Sequence, residues 1–269
     1  MRYLITILSI IVLLSFIEHP VNGKAVHPTE DTKRLGNRVR LDLLGKTIHF
    51  YGNSITEGVD ASPQSTNRWT TLFCGVRGAT EDNHGVSGMT LCTNPCGTGF
   101  VSSVIPVYNP ATDGALFIDF GTNDIGYAGN GVFISTDLFR TTIRAVLSTA
   151  VDVKAWERLK VVVVSPYYAL SYNAFIGGCF GNINNAATQN RADSFNNIVL
   201  EESRAKGVRV IDAMNGMRAL NNTYYSTDSL HPNNAGHAFI ANMVNQHLYI
   251  IPIIPIGWRR RKKKYKQAA

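Results

Sequence analysis

The chain has 269 residues, of which 45% are hydrophobic and only 17% charged, with 23 glycines. That composition excludes a disordered or fibrous chain and fits one loop-rich domain with a sizeable core. The formal net charge of +7 is local: Arg259, Arg260, Arg261, Lys262, Lys263, Lys264 and Lys266 account for it, the body is balanced, and no nucleic-acid partner is expected.

The chain opens on "MRYLITILSIIVLLSFIEHPVNG". Arg2, the apolar run from Tyr3 to Phe16 and the small residues Val21 and Gly23 read as a secretory signal peptide over residues 1–23. The run is shorter than the ~20 apolar residues of a membrane span. A secreted, periplasmic or extracellular location is therefore expected. Residues 24–44 read as a lead-in, 45–250 as the domain, and 251–269 as a basic tail. The tail is expected to be solvated, with at most weak contact to anionic surfaces. Export permits disulfides, and the four cysteines Cys74, Cys92, Cys96 and Cys179 point to two bridges whose pairing stays open. Cys92 and Cys96 are close enough to bridge across a local loop. Their spacing is not that of a zinc knuckle, and no metal site is expected.

Strands and helices then alternate. "KTIHFYGN" (Lys46 to Asn53) reads as a buried strand, and Thr80 to Val86 as a short one. "ALFIDFGTND" (Ala115 to Asp124), "KVVVVSPYY" (Lys160 to Tyr168) and "VRVIDAM" (Val208 to Met214) are further apolar runs. Helical spacing appears over Ser135 to Val151, over Arg191 to Lys206 with Gly207 as a stop, and over Asn233 to Tyr249. This alternation predicts an α/β fold: three layers, with a mostly parallel, five-stranded, flavodoxin-like sheet covered by helices on both faces. The polar stretch Gly177 to Asn190 reads as a surface loop.

Four polar stretches sit beside element boundaries. Ser54 follows the first strand and is either a nucleophile or the cap of a helix. "GVSG" offers Gly88, where a substrate oxygen could approach the amide closely, or an ordinary turn. "GTND" offers the Asn123 side-chain amide as a neutral donor, or an Asx-turn. "DSLHP" sets Asp228 three residues before His231, a spacing that lets a turn bring the carboxylate to the imidazole Nδ1. His84 lacks an aspartate three residues before it, and is expected to be structural or substrate-facing.

The conjunction of these stretches resembles the SGNH hydrolases, the GDSL-type esterase and lipase superfamily. "GNSITEG" is similar to the first block of that family, "GVSG" to the second, "GTND" to the third and "DSLHP" to the last. The likeness runs from about Lys46 to Tyr249. It implies Ser54 as nucleophile, His231 as general base and Asp228 as its orienting acid. It also implies an oxyanion hole from the Ser54 amide, Gly88 and Asn123, and chemistry through an acyl-enzyme with no cofactor. One departure is Asn53, where the family's first block usually has aspartate.

Such a serine ester hydrolase would act on a small-molecule or polysaccharide acyl ester. Trp69, Tyr167, Tyr168 and Phe175 are the candidate substrate-binding walls. Export together with a small, polar, asparagine-rich loop favours short acyl groups, above all acetyl, on carbohydrate. A lipid-acyl esterase, lysophospholipase or thioesterase is the alternative, and a non-catalytic carbohydrate-binding module on the same fold is the further one.

Overall fold

The computed structural model describes residues 39–93, 99–126, 128–129, 132–171 and 185–250. Cys96, Phe175, Cys179, the leader and the basic tail lie outside the described residues. So does most of the stretch read as a surface loop.

The sheet strands are β1 (Thr47–Gly52), β2 (Thr80–Gly85), β3 (Asp113–Asp119), β4 (Val161–Val164) and β5 (Arg209–Ile211). They lie in the order β2-β1-β3-β4-β5, all pairs parallel. This is the doubly wound order of flavodoxin-like folds. The helices used below are α1 (Ser54–Glu57), α2 (Trp69–Arg77), α3 (Thr122–Gly126), α4 (Thr136–Ser148), α5 (Asn185–Lys206) and α6 (Asn234–His247).

Strand alternation sends neighbouring side chains to opposite faces. Ile48, Phe50, Phe117, Val162 and Val164 pack with Trp69 and Phe73 of α2 and with Ile240 and Val244 of α6. Leu116, Ile118, Val161 and Val163 pack on the other side with Phe139 and Ile143 of α4 and with Phe195 and Val199 of α5. Strands β3 and β4 are buried at every position, which explains their unbroken apolar runs. The edge strand β2, "TEDNHG", is polar and only half-buried, a composition that discourages pairing with another chain.

The structure moves some expected boundaries. The run from Ala115 to Asp124 stops being a strand at Asp119, because Gly121 takes φ +110° and the chain coils into α3. Gly207, at φ +75°, does end α5. Within the expected lead-in, Val39–Arg40 pairs antiparallel with Tyr249–Ile250. Among the described residues, no helix is long and apolar enough to cross a membrane.

The disulfide expectation is corrected at two positions. Cys74 and Cys92 are free and buried. They belong to the two different cores, on opposite sides of the sheet, so they cannot bridge each other. Burial pushes both thiols up to about 12.

Glycine is required where β2 meets α1. A Cβ on Gly85 would lie 2.2 Å from the Glu57 backbone nitrogen, and backbone cannot step aside as a flexible side chain does. Gly85→Ala should therefore cost about 3 kcal/mol, at the upper end of overpacking changes. Thermal unfolding checks this, and an unchanged midpoint would contradict it.

Candidate active site

The carboxyl ends of β1, β2 and β3 lie side by side, since Gly52 pairs with both Gly85 and Asp119. The three sequence blocks that follow these strands are thereby brought together at one edge of the sheet. The Val86 N–H donates to the Gly52 carbonyl at 3.0 Å. Glu57 Oε2 accepts from the Ser87 N–H at 2.7 Å and from its hydroxyl at 2.5 Å. The Asn123 amide donates to the Met89 carbonyl at 2.9 Å.

Asn53, not Ser54, caps α1: its Oδ1 accepts from the Ile55 N–H at 2.9 Å. An amide oxygen thus serves this turn. The Ser54 hydroxyl, freed from capping, meets His231 Nε2 at 2.9 Å. On the other side of the ring, His231 Nδ1 lies 2.5 Å from Asp228 Oδ2. Asp228 Oδ1 also accepts the Leu230 and His231 N–H groups, both at 2.9 Å. Burial by itself would raise this carboxyl, but the bonds from the His231 ring, the two amides and Ser226 outweigh it and hold Asp228 below its usual range. An ionised Asp228 fixes the proton on Nδ1 and leaves Nε2 as an acceptor facing the hydroxyl.

The loop that carries His231 is fastened to the Ser54 side of the sheet. Ser229 turns it with φ +61°. Asn233 caps α6, its Oδ1 accepting from Ala235 and Gly236. Asn234 then exchanges two bonds with the Ser62 backbone, at 2.7 and 2.8 Å. His237, buried in α6, reaches the Val59 carbonyl at 3.1 Å. Asn234 and His237 carry no motif signal that sequence reading could have used, because their partners lie some 170 residues away.

Two acidic residues were also missed. Asp60, at φ +65°, lies 4.0 Å from His231 Nδ1. The Ser226 hydroxyl sits between Asp60 Oδ2 at 2.6 Å and Asp228 Oδ1 at 2.8 Å. Asp119 lies fully buried at the end of β3, where its Oδ2 accepts from the Thr56 hydroxyl and, at 2.9 Å, from the Tyr167 hydroxyl. Burial raises its carboxyl to about 7, against the opposing effect of those two bonds.

Gly88 takes φ +76° in its turn. Among the described residues, neither its N–H nor that of Ser54 has an acceptor. Asn123 is buried, and one hydrogen of its amide is engaged by Met89; the other is available.

Two of the expected walls are corrected. Trp69 is fully buried against Phe50 and Phe117, since α2 needs a large apolar anchor on the sheet. Tyr167 is 1% exposed and spends its hydroxyl on Asp119. Tyr168 is half-buried beneath the Arg218 guanidinium, 5.5 Å from the ring centre.

The molecule is thus a doubly wound α/β protein bearing a serine, a histidine and an aspartate in hydrogen-bonded series at the carboxyl edge of its sheet. The chain belongs to the GDSL-like lipase/acylhydrolase family, whose model matches residues 50–239. No curated protein sequence matches it. Among solved structures it is similar to a lipase/acylhydrolase from Enterococcus faecalis, at 19% identity and a TM-score of 0.52, over 75% of this chain and 94% of that one. An α/β hydrolase from the metagenome of Lake Arreo gives 15% identity and a TM-score of 0.55, over 78% and 98%. A catalytic mutant of an acetylxylan esterase from Geobacillus stearothermophilus gives 16% and 0.53, over 76% and 94%. At these identities the likeness is one of fold.

Proposed function

We propose that the protein hydrolyses acyl esters through a covalent acyl-enzyme on Ser54. The observation that carries this is the unbroken series Ser54 Oγ–His231 Nε2 at 2.9 Å and His231 Nδ1–Asp228 Oδ2 at 2.5 Å. His231 takes the Ser54 proton as the oxygen attacks the ester carbonyl, and Asp228 stabilises the imidazolium that forms. The carbonyl oxygen becomes an oxyanion held by the Ser54 and Gly88 N–H groups and the Asn123 amide. Each such donor lowers the barrier by ~3 kcal/mol in comparable sites. His231 then protonates the leaving alcohol. Water, activated by the same imidazole, releases the acid and restores the hydroxyl.

The substrate reading is a short acyl group, acetyl above all, carried on carbohydrate and met outside the cell. It is supported by the leader-like residues 1–23 and by one Geobacillus esterase among the similar folds, described both as an acetylxylan and as an acetyl-xylooligosaccharide esterase. With Trp69 and Tyr167 committed to the core, an aromatic acyl wall has lost two of its members. A p-nitrophenyl ester series from acetate to dodecanoate tests the reading. The rate should drop sharply beyond butyrate, and a maximum at long chains would replace it with the lipid-acyl alternative.

A further inference from the structure

On the sheet face that α4 and α5 cover elsewhere, β1 and the edge strand β2 present a second cluster of histidines and acids. His49 pairs with Asp82 and Tyr51 with His84 across the two strands. Asp82 and His84, two apart on β2, share this face, as do His49 and Tyr51 on β1. His49 Nδ1 lies 2.6 Å from Asp82 Oδ2, and His84 Nε2 lies 2.9 Å from the same oxygen. One ligand atom from each of the three residues therefore falls within 4.8 Å of the others. Both rings are held in place. His84 stacks on Tyr51 at 4.7 Å, nearly parallel, and His49 stands edge-on to Trp156 at 5.6 Å.

The protons do not balance around His49. Its residue is 91% buried, since only 9% of its surface is exposed. Its Nε2 lies 3.3 Å from Asp113 Oδ1 yet makes no hydrogen bond. A neutral imidazole has one N–H. With the hydrogen on Nδ1, the bare Nε2 lone pair faces the Asp113 carboxylate. With it on Nε2, the Nδ1 lone pair faces Asp82 Oδ2 at 2.6 Å. A cation beside Nδ1 removes the conflict: Nδ1 and Asp82 both act as ligands, and the hydrogen stays on Nε2, on the side of the ring where Asp113 Oδ1 lies 3.3 Å away. A carboxylate behind a metal-bound imidazole is the usual arrangement at such sites. Without an ion, Asp82 Oδ2 can accept an N–H from each ring, and titration with the metal separates that arrangement from metal binding.

We infer that His49, Asp82 and His84 form a site for a divalent transition-metal ion of the zinc class, backed by Asp113 and separate from the hydrolytic series. Two imidazoles and one carboxylate suit Zn²⁺ rather than Mg²⁺ or Ca²⁺, which prefer all-oxygen sets. Bonds of about 2.1 Å to a tetrahedral ion set ligand atoms roughly 3.4 Å apart, so the contacts at 2.6 and 2.9 Å must open by about 0.8 and 0.5 Å. The side chains of Asp82 and His84, 39% and 45% exposed, have room to do so. Three protein ligands leave the fourth position to water. The ion ties the edge strand to its neighbour, just ahead of the turn that holds Gly88, and its effect is on stability rather than on the ester chemistry.

The test is calorimetric titration of Zn²⁺ alone into the chelator-treated full chain, paired with thermal unfolding. One equivalent should bind. At a free Zn²⁺ concentration 100 times the dissociation constant, the folding equilibrium should shift about 100-fold, raising the midpoint. His84→Ala and Asp82→Asn, both at partly exposed positions, should each abolish binding, and unfolding of the metal-free variants verifies that they fold. His231→Ala should bind as the wild type does, and this variant separates the site from the Asp60, Asp228 and His231 group, the other such place among the described residues. Failure of the wild type to bind Zn²⁺ at millimolar concentration overturns the inference. So does binding that survives both β2 substitutions, or that vanishes with His231→Ala.

Discussion

Ser54→Ala is expected to lower kcat on p-nitrophenyl acetate on the order of 10⁶-fold, about 8 kcal/mol of barrier, with little change in stability. The size follows from the loss of the attacking atom itself, which no neighbour replaces. Stability should hold because the α1 cap belongs to Asn53, and because alanine keeps the helix and removes one partner of a single 2.9 Å bond to His231. A fluorophosphonate probe should label Ser54 in the wild type and leave the variant unlabelled. Equal turnover by the two proteins would end the acyl-enzyme reading and revive a binding module on this fold.

The second large effect concerns Asp119 and pH. Its carboxyl is raised by burial from 3.8 to about 7, so between those values the folded state binds a proton that the unfolded state has released. Stability from this group is therefore full below pH 3.8 and is lost as pH rises through about 7. Between pH 4.5 and 8 the wild type should lose up to about 3 kcal/mol from this source. Asp124, raised by burial to about 6, adds in the same direction. Asp119→Asn keeps an acceptor for the Thr56 and Tyr167 hydroxyls and cannot ionise. Relative to the wild type it should gain stability steadily across that range. Denaturant unfolding at pH 4.5, 6 and 8 measures the difference, and parallel profiles for the two proteins would refute it.

Asp119 also shows where sequence reading stopped. The run "ALFIDFGTND" announces a buried strand ending in polar residues, and the eye goes to Asn123. Nothing in the run says that Asp119 turns inward beneath α1 while Asp124 accepts the Leu91 and Cys92 amides. Aromatic residues misled for a related reason. Tyr167 follows a strand end, where ligands often bind, but its side chain folds back onto Asp119. Trp69 opens a helix whose apolar face had to meet the sheet. Local pattern reports that a residue is aromatic and near an edge, not which way the chain turns next.

The alternation of strands and helices, hence a parallel sheet covered on both faces, is legible in the sequence because hydrophobic periodicity is a local property of the chain. So are the four polar blocks and the Asp228–His231 pair, whose three-residue spacing is closed by one turn. The tertiary structure alone decided that Ser54, 177 residues from His231, lies within its reach. It alone decided, too, that Asp60 stands beside the same ring and that His49 meets Asp82 across two strands. Those meetings depend on strand order and register, and on clamps such as Asn234 to Ser62, which are fixed only when the whole core packs.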